Sequence, residues 1–146
     1  MPETRDRAAA DRIRTRLAAA AAALVVVGAG LGLRTVATGS VAKYGGDALY
    51  TVLLLSLVVL VAPRISPLRA AASALAVSCM VEFLQLSPVP ADLSRRSTVA
   101  RLVLGSTFNP PDLLWYSVGA AAGWLVHTAV RSLRARPARV RDATRT

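Results

Sequence analysis

The sequence has one cysteine, one histidine, two tryptophans, three tyrosines and two phenylalanines, and only 8 acids against 18 lysines and arginines. A single cysteine, Cys79, excludes an intrachain disulfide and a cysteine-only metal site. Cys79 and His127 lie in separate apolar runs, and no nucleophile motif accompanies either, so no metal, no cofactor and no catalytic residue is expected. The scarcity of aromatics, 5%, matters because net charge +10 would otherwise suggest a nucleic acid. No zinc-finger spacing, RNA-binding aromatic motif or recognition-helix pattern accompanies the charge, so no nucleic-acid partner is expected.

What is abundant is apolar material. Hydrophobic residues make up 54% of the 146, and the mean hydropathy is +0.48, more than a water-soluble core of this size requires. The basic residues lie in gaps between long apolar runs and at the two ends. Eleven of the 18 precede Leu17 or follow Val130. This pattern predicts an all-α, integral membrane four-helix bundle with spans at 17–37, 45–62, 68–86 and 112–130, flanked by basic cytoplasmic tails at 1–16 and 131–146.

The first run, Leu17 to Leu33, is 17 residues without a charge, bracketed by Arg16 and Arg34. It suffices for a span. A cleaved leader would also begin with arginines, but the run exceeds a leader's core of about 7–15 residues, no small-x-small site closes it, and three more runs follow. Gly28, Gly30 and the twentieth-or-so residue beyond, Asp47, resemble a dinucleotide fingerprint, yet its last glycine is Leu33 here, so it fails. Close helix packing in lipid is the expected role of Gly28, Gly30 and Gly32.

Orientation follows from counting Lys and Arg. The amino tail has five, the loop near Arg64 and Arg69 two and the carboxyl tail six, thirteen in all. The other side has five: Arg34, Lys43, Arg95, Arg96 and Arg101. The positive-inside rule therefore predicts both termini in the cytoplasm of an inner-membrane protein, with the first and third loops outside.

That topology gives the polar residues a common address at the outer face. Asp47 opens span two, Glu82 and Gln85 close span three, and Asp112 opens span four. A charge at the middle of a span costs roughly 2.5–3.5 kcal/mol on insertion scales, so Glu82 is expected to serve either a ligand or a helix-to-helix bond that locks the bundle. Asp112 follows Asn109-Pro110-Pro111, so it reads equally as part of a helix start. Lys43 and Asp47 are spaced to pair along one helix. His127 is expected to pack at the inner interface. The 25-residue segment 87–111 is too long to be structureless and is expected to be a partly structured outer loop, lid or connector.

Several residues carry a resemblance. Gly32-Leu33-Arg34, Lys43-Tyr44-Gly45-Gly46-Asp47-Ala48-Leu49-Tyr50, Glu82-Phe83-Leu84-Gln85-Leu86, then Leu102 to Gly105, Phe108, Asp112, Tyr116 and Gly119, taken in order, resemble the bacterial family of small membrane proteins named domain of unknown function 2809 (DUF2809), from about Gly28 to His127. A more distant likeness is to the VanZ-like family, linked to low-level teicoplanin resistance: Glu82 and Gln85 match its Glu-x-x-Gln pair, and Asp112 and Gly119 match its next pattern, with Tyr116 in place of Asn. These resemblances imply the membrane fold more than an activity.

The candidate ligand-binding residues are accordingly Asp47, Glu82, Gln85, Arg96, Arg101, Asp112 and Tyr116. The arginines suit phosphate headgroups, so the expected ligand is an envelope lipid or a lipid-linked cell-wall precursor. The alternatives are an accessory subunit of a larger membrane complex and a lipid-modifying enzyme using Glu82 or Asp112 as acid or base.

Overall fold

The computed structural model describes residues 2–105 and 107–143, with side chains from 5 to 134 apart from 106. Six helices follow in order: α1 Pro2–Val36, α2 Gly39–Val61, α3 Pro67–Leu84, α4 Pro88–Arg96, α5 Thr98–Leu104 and α6 Pro110–Ala143. There is no strand among the described residues. Four of the helices, α1, α2, α3 and α6, are long and apolar enough to cross a membrane.

Two helices outrun the expected spans. α1 continues back through the arginine-rich amino tail, and α6 runs on through most of the carboxyl tail, leaving 144–146 outside the described residues. Hydropathy marks where a helix leaves lipid, whereas alanine and arginine favour helix on either side of that boundary. The first loop contracts likewise. Only Ala37 and Thr38 separate α1 from α2, so Arg34 and Lys43 belong to helices. Thr38 is extended and Gly39 has φ +61, a left-handed corner suited to glycine. The third loop is a helical hairpin of α4 and α5.

Local chemistry sets the helix starts. Ser66 accepts from the Arg69 N–H at 3.4 Å with Pro67 at the first helical position of α3. Ser97 does the same for α5 from the Ala100 N–H at 3.3 Å. α5 ends at Gly105, whose φ of 66 with ψ of −163 is open only to glycine.

The core is made of small side chains. Ala19, Leu55, Val59, Ala70, Ala71 and Ala74 form its buried centre, as expected where helices associate by close packing in lipid rather than by hydrophobic exclusion from water. α2 contacts α1, α3 and α6, and α3 also contacts α6. The tightest approach is at Gly119 of α6. A Cβ there would overlap the Ala48 carbonyl oxygen of α2 and lie 3.0 Å from the Ala48 Cα. Gly123, one turn on, accommodates the Leu55 side chain. Gly28, Gly30 and Gly32 do not play the packing role the sequence suggests: nothing lies within 4 Å of a Cβ placed on any of them. The packing glycines belong to α6 and, at Gly45 against the Leu33 side chain of α1, to α2, whereas the α1 glycines face open space.

Large apolar residues such as Leu24, Val25, Leu57, Met80, Leu114, Leu125 and Val126 are exposed around the bundle. A continuous apolar exterior is what a helix bundle presents to acyl chains. The polar groups collect at one end, where α1 and α3 finish, α2 and α6 begin, and the α4–α5 hairpin lies. This is the capped end.

Candidate functional site

The end of α5 leaves carbonyl groups without intrahelical partners, and side chains from the cap of α3 and from α4 meet them. Gln85 Nε2 donates to the Leu104 carbonyl at 2.7 Å, and Ser94 Oγ donates to the Gly105 carbonyl at 2.6 Å. The Ser94 bond closes the α4–α5 hairpin on itself, and the Gln85 bond with the Phe83–Phe108 stack, centroids 6.1 Å apart, fixes it to the end of α3.

Glu82 is fully buried, and both carboxylate oxygens accept. Oε1 takes the Asn109 backbone N–H at 2.5 Å and Oε2 takes the Tyr116 hydroxyl at 3.0 Å. The acid thus joins α3 to the start and second turn of α6. The positive N-terminal end of α6 favours a carboxylate here. α3 ends at Leu84, so Glu82 lies about 3 Å from that end at about 1.5 Å per residue. No lysine or arginine among the described residues is ion-paired with it. Two hydrogen-bond donors rather than a cation hold the carboxylate, and Glu82 stands behind the cavity wall, outside its lining.

Asp112 is next in the same network. It accepts from the Asn109 side-chain amide and, on both oxygens, from the Lys43 ammonium. Lys43 in turn lies 3.6 Å from Asp47, one turn along α2. Glu82, Asn109, Asp112, Lys43 and Asp47 therefore form one connected chain across α2, α3 and α6. Asp112 is only 5% exposed, whereas the Lys43 side chain remains 45% exposed, so the network runs from the interior to the surface. Aromatic rings brace it: Tyr44 stacks on Trp115 at 5.5 Å and Tyr50 packs against Tyr116 at 6.3 Å. Below it, Thr51 and Ser78, both fully buried, share a hydrogen bond of 3.0 Å between α2 and α3.

A cavity of about 300 Å³ opens beside this network. Among the sequence candidates, Asp47, Gln85, Arg101, Asp112 and Tyr116 line it. Glu82 does not, for the reason just given. Arg96 lies on an exposed part of α4 and does not line it either. The cavity adds four polar residues outside the candidate set: Arg34, Lys43, Tyr50 and Thr107. Arg34 and Arg101 are exposed and have no carboxylate partner among the described residues. Asn109, read from sequence only as a cap, is the joint between Glu82 and Asp112. The Lys43–Asp47 spacing was the one sequence signal that drew Lys43 into this constellation. Nothing in it indicated that Asp112 would take the ammonium more closely.

His127 is half-buried on α6 far from the cavity. No group of three or more His, Cys, Asp or Glu among the described residues has a metal-binding arrangement. The site thus offers two exposed guanidinium groups, an ammonium divided between two carboxylates, an amide and two phenols, which is equipment for binding a polar group at the end of a membrane bundle.

No curated protein and no solved structure matched the chain. A family match covers residues 36–120, which runs from the end of α1 through Gly119 and so includes the whole α2–α3–α6 network and all the cavity residues but Arg34. The match extends over more than half of the sequence, and the chain belongs to the family described as protein of unknown function, DUF2809.

Proposed function

We propose that this is a multi-pass protein of the cytoplasmic membrane, with both termini in the cytoplasm, that holds the phosphate-bearing headgroup of an envelope lipid or lipid-linked cell-wall precursor at its outer, capped end. The orientation rests on the sequence count of thirteen basic residues in the two tails and the second loop against five in the other segments. The binding reading rests on one observation above all: Arg34 and Arg101 border the cavity without carboxylate partners among the described residues. Guanidinium groups left free beside a cavity suit bidentate recognition of phosphate oxygens. Glu82 serves as the brace that holds Asn109 and Tyr116 in place, and Asp112 orients Lys43.

The enzymatic alternative draws less support, because both candidate acid–base groups are already engaged, Glu82 by two donors and Asp112 by Lys43 and Asn109. The accessory-subunit alternative is favoured by one feature. The apolar window of α1 is 11% buried, against 22–28% for the other spans, and its three glycines face open space. Lipid analysis of the purified protein tests the binding proposal. A phosphate-bearing lipid should copurify with the unaltered chain and be depleted when Arg34→Gln and Arg101→Gln are combined. An unchanged lipid complement in the double variant would remove the proposal's basis.

A further inference from the structure

The charges around the cavity are unevenly partnered, and this narrows the class of ligand. Lys43 hydrogen-bonds both oxygens of Asp112 but approaches Asp47 only to 3.6 Å. One ammonium therefore answers two carboxylates, and this wall of the cavity keeps a net charge of −1. Asp47 Oδ2 has no hydrogen-bond partner, and neither has Oε1 of Gln85, which borders the same cavity. An acceptor left unpaired away from water is costly to the protein. Oδ2, 3.6 Å from the Lys43 ammonium, is itself enclosed, and the 21% exposure of the Asp47 side chain belongs to its other atoms. The two arginines of the cavity have the complementary deficit, positive charge with no counterion.

Resting on the headgroup reading above, we infer that the ligand is a zwitterion: a phosphate ester that also carries a primary ammonium group. Arg34 and Arg101 receive the phosphate, and Asp47 with Gln85 receives the ammonium. A primary ammonium has three N–H donors and no acceptor, so it can serve two acceptors at once while supplying the missing positive charge. A quaternary ammonium brings charge without an N–H, and a hydroxyl brings a donor without charge. A simple anion satisfies the arginines and leaves Asp47 as it was. A cavity of about 300 Å³ is at the small end of the range for ligand pockets, in keeping with a compact headgroup rather than a large glycan. The same chemistry occurs on a membrane lipid and on a free phosphate ester.

Native mass spectrometry of the intact detergent-solubilised protein separates these cases, using phosphatidylethanolamine, its N-methylated counterpart phosphatidylcholine, and phosphatidylglycerol with identical acyl chains. The unaltered protein should bind phosphatidylethanolamine about tenfold more tightly than either of the others, one step of roughly 1.4 kcal/mol. Asp47→Asn, checked for a monodisperse elution profile, should erase that preference while retaining phosphatidylcholine binding. If soluble O-phosphoethanolamine displaces phosphatidylethanolamine, the zwitterion's source is a free ester; if it does not, the source is the lipid, and both outcomes uphold the shared chemistry. Equal affinity for all three lipids that still falls with Arg34→Gln and Arg101→Gln overturns the zwitterion and leaves the phosphate reading standing. Affinities indifferent to both arginine substitutions overturn the two together.

Discussion

Replacing Glu82 by leucine removes two acceptors from a site that water does not reach. The Asn109 N–H and the Tyr116 hydroxyl both lose their partner. Each buried donor left unsatisfied costs about 1–3 kcal/mol, so the gross loss is roughly 2–6 kcal/mol, reduced by the desolvation of a carboxylate that leucine avoids. Glutamine at the same position behaves differently. Its Oε1 can keep the Asn109 N–H, and its amide can donate to Tyr116, whose hydroxyl is free to turn and accept. The remaining cost is the exchange of charged for neutral hydrogen bonds, on the order of 1 kcal/mol. Melting in detergent, followed by the fraction that remains monodisperse after heating, should therefore rank the unaltered protein first, Glu82→Gln close behind and Glu82→Leu clearly last. Tyr116→Phe should fall between the two variants, since it strands one carboxylate oxygen and leaves the other bonded. A leucine variant as stable as the glutamine variant would refute the bracing role assigned to Glu82.

Glycine positions give a second contrast. Gly119→Ala should destabilise the bundle by about 1–3 kcal/mol through overpacking against the Ala48 backbone, whereas Gly30→Ala should be neutral or stabilising by up to about 1 kcal/mol, because its surroundings are open and alanine is the better helix former. Detergent melting of both variants checks this, and equal losses would contradict the α2–α6 crossing. Orientation is tested by reporter fusions: one in the carboxyl tail and one after Arg64 should report cytoplasm, and one after Ser94 the outside. A carboxyl tail reported outside would reverse the assignment of the cavity to the outer face.

The four spanning helices were legible in the sequence because length and apolar composition suffice to mark them, and the candidate set at the capped end was legible because acids are rare in such segments. Five of its seven members line one cavity. The remainder depended on contacts that spacing does not carry. Asp112 finds Lys43 across 69 positions, and Glu82 finds Asn109 across 27. The depth of Glu82 predicted a partner but not its kind, since two neutral donors can satisfy a buried carboxylate as an arginine would. Gly28, Gly30 and Gly32 matched a small-residue pattern, but which face of a helix meets a neighbour is set by the bundle, and the neighbour came to Gly119 and Gly123 instead. The hairpin within 87–111 was concealed because neither of its helices is long: α4 has 9 residues and α5 has 7. Only α5 has a side-chain cap, at Ser97, and it marks the helix only once the chain is seen to turn there.

The claim that the cavity receives a lipid headgroup is tested most directly by a photo-crosslinking residue in place of Val103, which lines it. In intact membranes the crosslinker should capture a phosphate-bearing lipid, with a yield that falls several-fold when Arg34→Gln and Arg101→Gln are introduced, while a control crosslinker at the exposed Leu125 should capture lipid equally in both backgrounds. Capture from Val103 that is absent, or that is unaffected by loss of both arginines, would contradict the account.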